Sequence, residues 1–285
     1  MELIMSNLTK YYRNKISGMQ LPLPSKGLYG GNIDFSINDT DVEIYALSAA
    51  DEIYIANPDN LITGAAVERI IKSSCPAIND PRNLPIQDAD AICLASKRQT
   101  YGSFLSLGGE CSKCKEKQEY KIEIMDIFKN SKFLPDEMIC SIDEINGTKV
   151  DLKIYLRPYS VKDANFITIK EFEQNKYLEG LDSSDMDIEE KTTKVFKAIQ
   201  SMKEMNMDLL HSCIIRIIAD GEEITDSNSI KDFMNNVESK IVKLINDKVK
   251  EFNKYGLPKT YTVSCNKCDN KDQIPLVYDP SNFFD

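Results

Sequence analysis

Apolar and polar residues change rhythm several times along this chain, and each rhythm predicts a different element. Residues 1–35 carry few regular signals. LPLPSKG and LYGGN are rich in the Pro and Gly that punctuate backbone, so an extended arm leading into a turn is expected there. IDFSIN and DVEIYAL alternate apolar and polar residues with the period of a strand. SAADEIYIANPDN fits a short helix followed by a loop, and Asn57-Pro58-Asp59-Asn60 fits a helix start. Leu61, Ala65, Val67, Ile70 and Ile71 then recur at helical spacing up to Pro76. A second helix is expected from about Pro85, with Ile86, Ala89, Ile92, Cys93 and Leu94 as its stripe. Lys97 and Arg98 suit the negative end of its dipole, and Tyr101-Gly102 breaks it.

In the second half, CSIDEINGTKVDLKIYLRP places Asn146-Gly147 between alternating runs, a two-residue hairpin signal. Val161, Ala164, Ile167 and Phe172 predict a helix to about Tyr177. EGLDSSDMDIEE, residues 179–190, holds six acids and no base and reads as a solvated, mobile loop. Thr192 to Ile218 reads as a long helix, with Val195, Phe196, Ile199, Met202, Met205, Leu209, Leu210 and Ile214 at intervals of three and four. Its end, CIIRIIADGEEITD, turns toward a hairpin at Asp220-Gly221. Asp226 or Ser227 caps a further helix, SIKDFMNNVESKIVKLINDKVKEFNKY, which Gly256 and Pro258 stop. An aromatic tail containing Phe283-Phe284 follows, with three readings open: a floppy end, packing back on the ribbon, or docking on a partner.

Two segments break these rhythms in the same way. Cys111-x-x-Cys114 and Cys265-x-x-Cys268 each sit between two strand-like runs, so each predicts a β-hairpin tipped by a cysteine knuckle. Together they supply Cys111, Cys114, Cys265 and Cys268, four thiolates, the number a closed tetrahedral Zn²⁺ site needs. One structural zinc per chain is the expectation. Cys265 follows Cys114 by 151 positions, far beyond the roughly 15–20 of a compact ribbon, so the ribbon is split by an inserted domain. Lys113, Lys115, Lys117, Lys267 and Lys271 crowd the knuckles and offset the −2 charge of such a centre. The competing readings are two redox dithiols and knuckles that hold no metal. A redox pair belongs at a helix N-terminus, and these flanks are strand-like. A catalytic zinc usually keeps an open position, which four cysteines would fill.

Composition narrows the class. The net charge is −10, with 28% charged and 42% hydrophobic residues among 285. That is ordinary for a soluble globular protein and unfavourable for broad phosphate-backbone binding. No stretch approaches the length of a membrane helix, and the N-terminus lacks the apolar run of a secretory signal, so a cytosolic origin is expected. Cys75, Cys93, Cys140 and Cys213 lie in apolar or helical surroundings and read as small buried hydrophobes. His211, the sole histidine, reads as a partly buried helix residue. LYGGN and LGGE lack the Lys-Ser/Thr of a phosphate loop. No catalytic constellation is evident.

These pieces give an α+β expectation: an extended arm over 1–35, an N-terminal mixed α/β region over 36–100, a split four-cysteine zinc ribbon of two β-hairpins over 101–126 and 257–285, and a mainly helical insert over 127–256. The order of LPSKG, KRQTYG, the first knuckle, IADGEEITD, the second knuckle and the aromatic tail resembles the T4-like bacteriophage baseplate hub assembly family, from about Leu23 to Phe284. The resemblance implies a non-enzymatic structural or assembly protein of a contractile tail's baseplate hub. Its partners would be other hub and tail proteins, met in the host cytoplasm during assembly and in the virion tail baseplate. No membrane or small-molecule partner is expected, and the net charge of −10 disfavours nucleic acid. The alternative from another class is a zinc-ribbon nucleic-acid-binding factor, suggested by the lysines around the knuckles.

Overall fold

The computed structural model describes residues 11–12, 18–35, 40–145, 147–182 and 187–278. The fold mixes helices with several small antiparallel sheets. It divides into two compact units, residues 1–134 with 254–285, and 135–253.

In the first unit, β1 (Met19–Pro22) pairs antiparallel with β2 (Asp41–Ile44). The segment expected to be an arm is therefore partly sheet. The alternation of its leucines explains this, since Leu21 and Leu23 are both buried. Ile33 makes an isolated bridge to Ile78. The strand expected over IDFSIN extends beyond it into 36–39, outside the described residues.

Helix α1 (Ala49–Ile55) is followed by α2 (Pro58–Ile62), α3 (Ala65–Ser74) and α4 (Ile86–Tyr101). The run from Leu61 is not one helix. Gly64 adopts φ of 73°, a left-handed conformation that separates α2 from α3 and that glycine enters without steric cost. Leu47, Ile55, Ala66, Ile70 and Cys93 form one buried cluster where α1, α3 and α4 meet. The unit continues with β3 (Phe104–Glu110), β4 (Lys117–Glu123) and α5 (Ile124–Lys129), and closes with β9 (Thr260–Ser264) and β10 (Lys271–Pro275).

The second unit is a four-stranded antiparallel sheet in the order β5-β6-β7-β8 with helices on it. Its strands are β5 (Met138–Ile145), β6 (Thr148–Leu156), β7 (Ile214–Ala219) and β8 (Glu222–Ile224). Two hairpins build it, joined through β6 and β7. Of the first turn signal, Asn146 lies outside the described residues, while Gly147 sits at φ of 78°. At the second, Asp220 and Gly221 have φ of 49° and 88°, the pair of positive values a tight hairpin turn requires. Along β6, Leu152, Ile154 and Leu156 are buried and Lys153 and Tyr155 point away, the period of two that fixes register.

The helices are α6 (Val161–Asp182), α7 (Ile188–Ser212), α8 (Ser227–Asn236) and α9 (Ser239–Lys250). Helix α7 ends at Ser212, not near Ile218, because the isoleucine-rich stretch beyond Cys213 pairs as β7. The last expected helix is two: Val237 is extended, with ψ of 157°, and separates α8 from α9. The acidic run does not form one loop. Residues 179–182 end α6 and 188–190 begin α7, with 183–186 outside the described residues. Phe283-Phe284 also lies outside them. No described helix is long and apolar enough to cross a membrane.

Candidate metal centre

Each cysteine knuckle is shaped by backbone hydrogen bonds before its sulfurs are considered. In the first, Cys111 N–H donates to the Glu116 carbonyl (2.9 Å) and Lys115 N–H donates to the Cys111 carbonyl (3.0 Å). In the second, Cys265 N–H donates to the Asn270 carbonyl (2.9 Å) and Asp269 N–H to the Cys265 carbonyl (3.0 Å). Lys115 and Asp269 occupy equivalent left-handed positions, with φ of 60° and 53°. The same loop is thus built twice, at the tips of β3–β4 and β9–β10.

The two loops meet as near-symmetric partners. Cys111 Sγ lies 3.7 Å from Cys268 Sγ, and Cys114 Sγ lies 3.6 Å from Cys265 Sγ. All four sulfurs fall within 4.8 Å of one another. Disulfide sulfurs would be about 2.05 Å apart. Zn–S bonds of about 2.3 Å at tetrahedral angles place sulfurs about 3.8 Å apart, close to the two short spacings here. The donor set therefore fits a thiophilic divalent ion. Cys111 and Cys265 are buried, and Cys114 and Cys268 are half-buried.

Reciprocal hydrogen bonds hold the hairpins together. Asp272 accepts from the Ser112 N–H (3.2 Å) and from the Ser112 hydroxyl. Gln118 Oε1 accepts from the Asn266 N–H (3.1 Å), while its Nε2 donates to the Tyr120 hydroxyl (2.6 Å). Gln118 is seven residues after Cys111 and Asp272 seven after Cys265, so each hairpin grips the residue just after the other's first cysteine from the same offset. The sequence reading passed over both, although the shared offset was visible. Gly109 permits close approach: a Cβ there would come within 3.0 Å of Tyr120 and 3.8 Å of Ile274.

The thiols are electrostatically unequal. The N–H of Lys267, 3.4 Å from Cys265 Sγ, favours the thiolate and lowers Cys265 to about 6. At Cys114 the Glu116 N–H also favours the thiolate, but desolvation and the neighbouring thiols outweigh it and push Cys114 up to about 12. A bound cation would deprotonate all four. Of the flanking lysines, Lys267 pairs with Glu116 (2.6 Å) and Lys115 with Glu110 (3.7 Å).

A family model described as "T4 bacteriophage base plate protein" matches residues 42–285, a span that includes both knuckles. The chain belongs to this family. No curated protein and no solved structure matched it. It is accordingly a bacteriophage baseplate protein, and the cysteine cluster lies within the matched residues.

The other candidates of this baseplate protein sit elsewhere. Cys75, Cys93, Cys140 and Cys213 are all buried, and burial raises Cys75 and Cys213 to about 12. His211 lies in the last turn of α7 with its Nε2 2.9 Å from the Ser227 carbonyl at the start of α8. Three buried carboxylates received no role from the sequence. Asp88 accepts from the Ser25 N–H (2.8 Å) and the Ser25 hydroxyl, and burial raises it to about 7. Asp51 forms a capping box with Ser48 and accepts from Arg69 (2.7 Å). Asp163 makes the same arrangement with Ser160 and Arg157 (2.7 Å). Ser-x-x-Asp before an apolar run is the readable signal for the last two.

Proposed function

We propose that this baseplate protein serves in the tail hub as a non-enzymatic structural or assembly component, with Cys111, Cys114, Cys265 and Cys268 holding one Zn²⁺. The observation that carries the metal is the pair of opposed knuckles with sulfurs spaced for a tetrahedral cage. Zinc would supply four bonds and no reactive position, because the protein fills its coordination sphere. The ribbon halves at 101–126 and 257–285 then act as a staple that presents a fixed protein-binding scaffold to other hub and tail proteins. The net charge of −10, together with the glutamate pairing of Lys115 and Lys267, favours this over a nucleic-acid ribbon, whose binding rests on clustered basic charge.

Native mass spectrometry of protein purified without added metal tests the centre. One zinc per chain, lost in Cys111→Ser/Cys265→Ser, is the expected outcome, and metal-free wild type in repeated preparations would end the proposal. Replacing the gene by that double variant tests the role: tail assembly in the host cytoplasm should fail or slow. Normal tail yields from a metal-free variant would show that the staple is dispensable.

A further inference from the structure

The four sulfurs are paired across the hairpins as well as grouped. Cys111 Sγ lies 3.7 Å from Cys268 Sγ and Cys114 Sγ 3.6 Å from Cys265 Sγ, and both spacings run from one hairpin to the other. A disulfide needs about 2.05 Å, so closing either pair takes a movement of about 1.6 Å. Each pair also joins unlike environments. Cys268 and Cys114 are half-buried and open to a solute, while their partners Cys111 and Cys265 are buried behind them.

Within a knuckle the backbone opposes the same closure. The Lys115 N–H bond to the Cys111 carbonyl and the Asp269 N–H bond to the Cys265 carbonyl fix each loop around its left-handed residue. Drawing Cys111 onto Cys114, or Cys265 onto Cys268, works against those bonds. Closure between the hairpins asks only for side-chain rotation and a small sideways shift. The consequences differ as well. A bond inside a knuckle joins nothing beyond its own loop. Bonds between the hairpins span 157 and 151 positions, and a cross-link restricts the unfolded chain more the longer the loop it closes.

We propose that the four cysteines are a site of oxidative cross-linking, Cys111 to Cys268 and Cys114 to Cys265, in which covalent bonds take over the joining of the two hairpins. The starting state rests on the zinc reading above. The co-reactant is a two-electron peroxide oxidant. The Cys114 thiolate attacks a peroxide oxygen: an S–O bond forms, the O–O bond breaks, and the departing hydroxide takes a proton from solvent. The Cys265 thiolate then attacks the Cys114 sulfur: the S–S bond forms, the S–O bond breaks, and a second hydroxide leaves and is protonated. Two thiolates lose two electrons and one hydrogen peroxide becomes two waters. Cys268 and Cys111 repeat the step with a second peroxide. No thiolate is then left to ligate a cation. Disulfides persist outside the thiol-reducing cytoplasm, the surroundings a virion tail component reaches after release.

Hydrogen peroxide treatment of the full-length protein tests this, with released zinc followed by a chromophoric chelator. Lys113 and Lys267 separate the two cysteines of each knuckle, so trypsin places the four on different peptides, 99–113, 114–115, 260–267 and 268–271. Mass spectrometry of the unreduced digest should join 99–113 to 268–271 and 114–115 to 260–267, as zinc is released. In excess chelator, hydrogen exchange over 260–275 should be at least about tenfold slower in the oxidised protein than in the reduced one. Linkage of 99–113 to 114–115 or of 260–267 to 268–271, sulfinic and sulfonic acids in place of disulfides, or equal exchange in the two forms would each overturn the proposal. Zinc release with no linkage between the hairpins would overturn it and keep the metal reading. Linkage between the hairpins in protein that held no zinc beforehand would support it and end the metal reading.

Discussion

The two cysteine hairpins share a knuckle but not a foundation. β3–β4 has seven residues in each strand and buries Leu105, Tyr120 and Ile122. It also continues directly into α5, whose first N–H, at Ile124, donates to the Ser103 carbonyl. β9–β10 has five residues in each strand and buries one apolar strand residue, Val263. A two-stranded hairpin is marginal by itself. The first hairpin is therefore anchored along its strands, whereas the second is anchored at its base, where Leu257, Leu276 and Tyr278 are buried and Lys259 pairs with Asp90 (2.9 Å), and at its tip. A staple can thus be unequal, with one arm fixed along its length and the other fixed at its base and its clasp.

Removing the clasp should give the largest effect. Chelation, or Cys114→Ser, should cost several kcal/mol, below the roughly 10 of small metal-dependent fingers because the core shares the task. Hydrogen exchange should show protection lost first over 260–275, next over 104–123, and kept over 138–156 and 214–219. Equal loss in both hairpins would erase the asymmetry, and loss in the second unit would contradict its independent core.

Side-chain truncation should reproduce the asymmetry in the protein with metal bound. Ile122→Ala should cost about 2–4 kcal/mol in thermal or denaturant unfolding. Val263→Ala should cost about 1–2 kcal/mol globally but raise local exchange over β9–β10. A larger global cost at Val263 would show that the second hairpin is the foundation.

Acid should act in opposite directions within the first unit. With the proposed ion bound, protons would compete with it for the thiolates, so the hairpins should weaken as pH falls. Asp88 behaves the other way. Its folded value, about 7, lies above the ordinary carboxylate value, so the native state binds the extra proton. Its contribution is complete below about pH 4 and is lost as pH rises toward 7. The difference between wild type and Asp88→Asn should therefore change by about 1–3 kcal/mol across that window. A flat difference would show that the carboxyl titrates normally.

The smallest effect belongs to the pair that bridges the knuckles at the surface. Lys267→Met breaks the contact with Glu116 yet should leave melting and zinc content unresolved from wild type, as exposed pairs do. Loss of metal in that variant would make the surface pair part of the clasp.

Legibility followed the range of the interaction that decides each residue. The knuckles were readable because a two-residue spacer and strand-like flanks are local, and the hairpin at Asp220-Gly221 for the same reason. Gln118 and Asp272 were missed because each acts on the other hairpin, although their common offset from a cysteine is written in the chain. The capping boxes at Ser48–Asp51 and Ser160–Asp163 were local and were overlooked. Asp88 was not readable: an acid in the first turn of α4 looks like a partner for the helix dipole, and only the fold places Ser25 against it. The break at Val237 was hidden because the apolar spacing continues across it into α9.

The separation of the knuckles also sets a clock. A ribosome adding about 5–20 residues each second needs roughly 8–30 s to pass from Cys114 to Cys265. Throughout that interval the first two sulfurs wait, while the residues of the second unit emerge between them. Closure of the cage therefore marks a chain synthesised through its second knuckle, and a truncated product carries half a clasp.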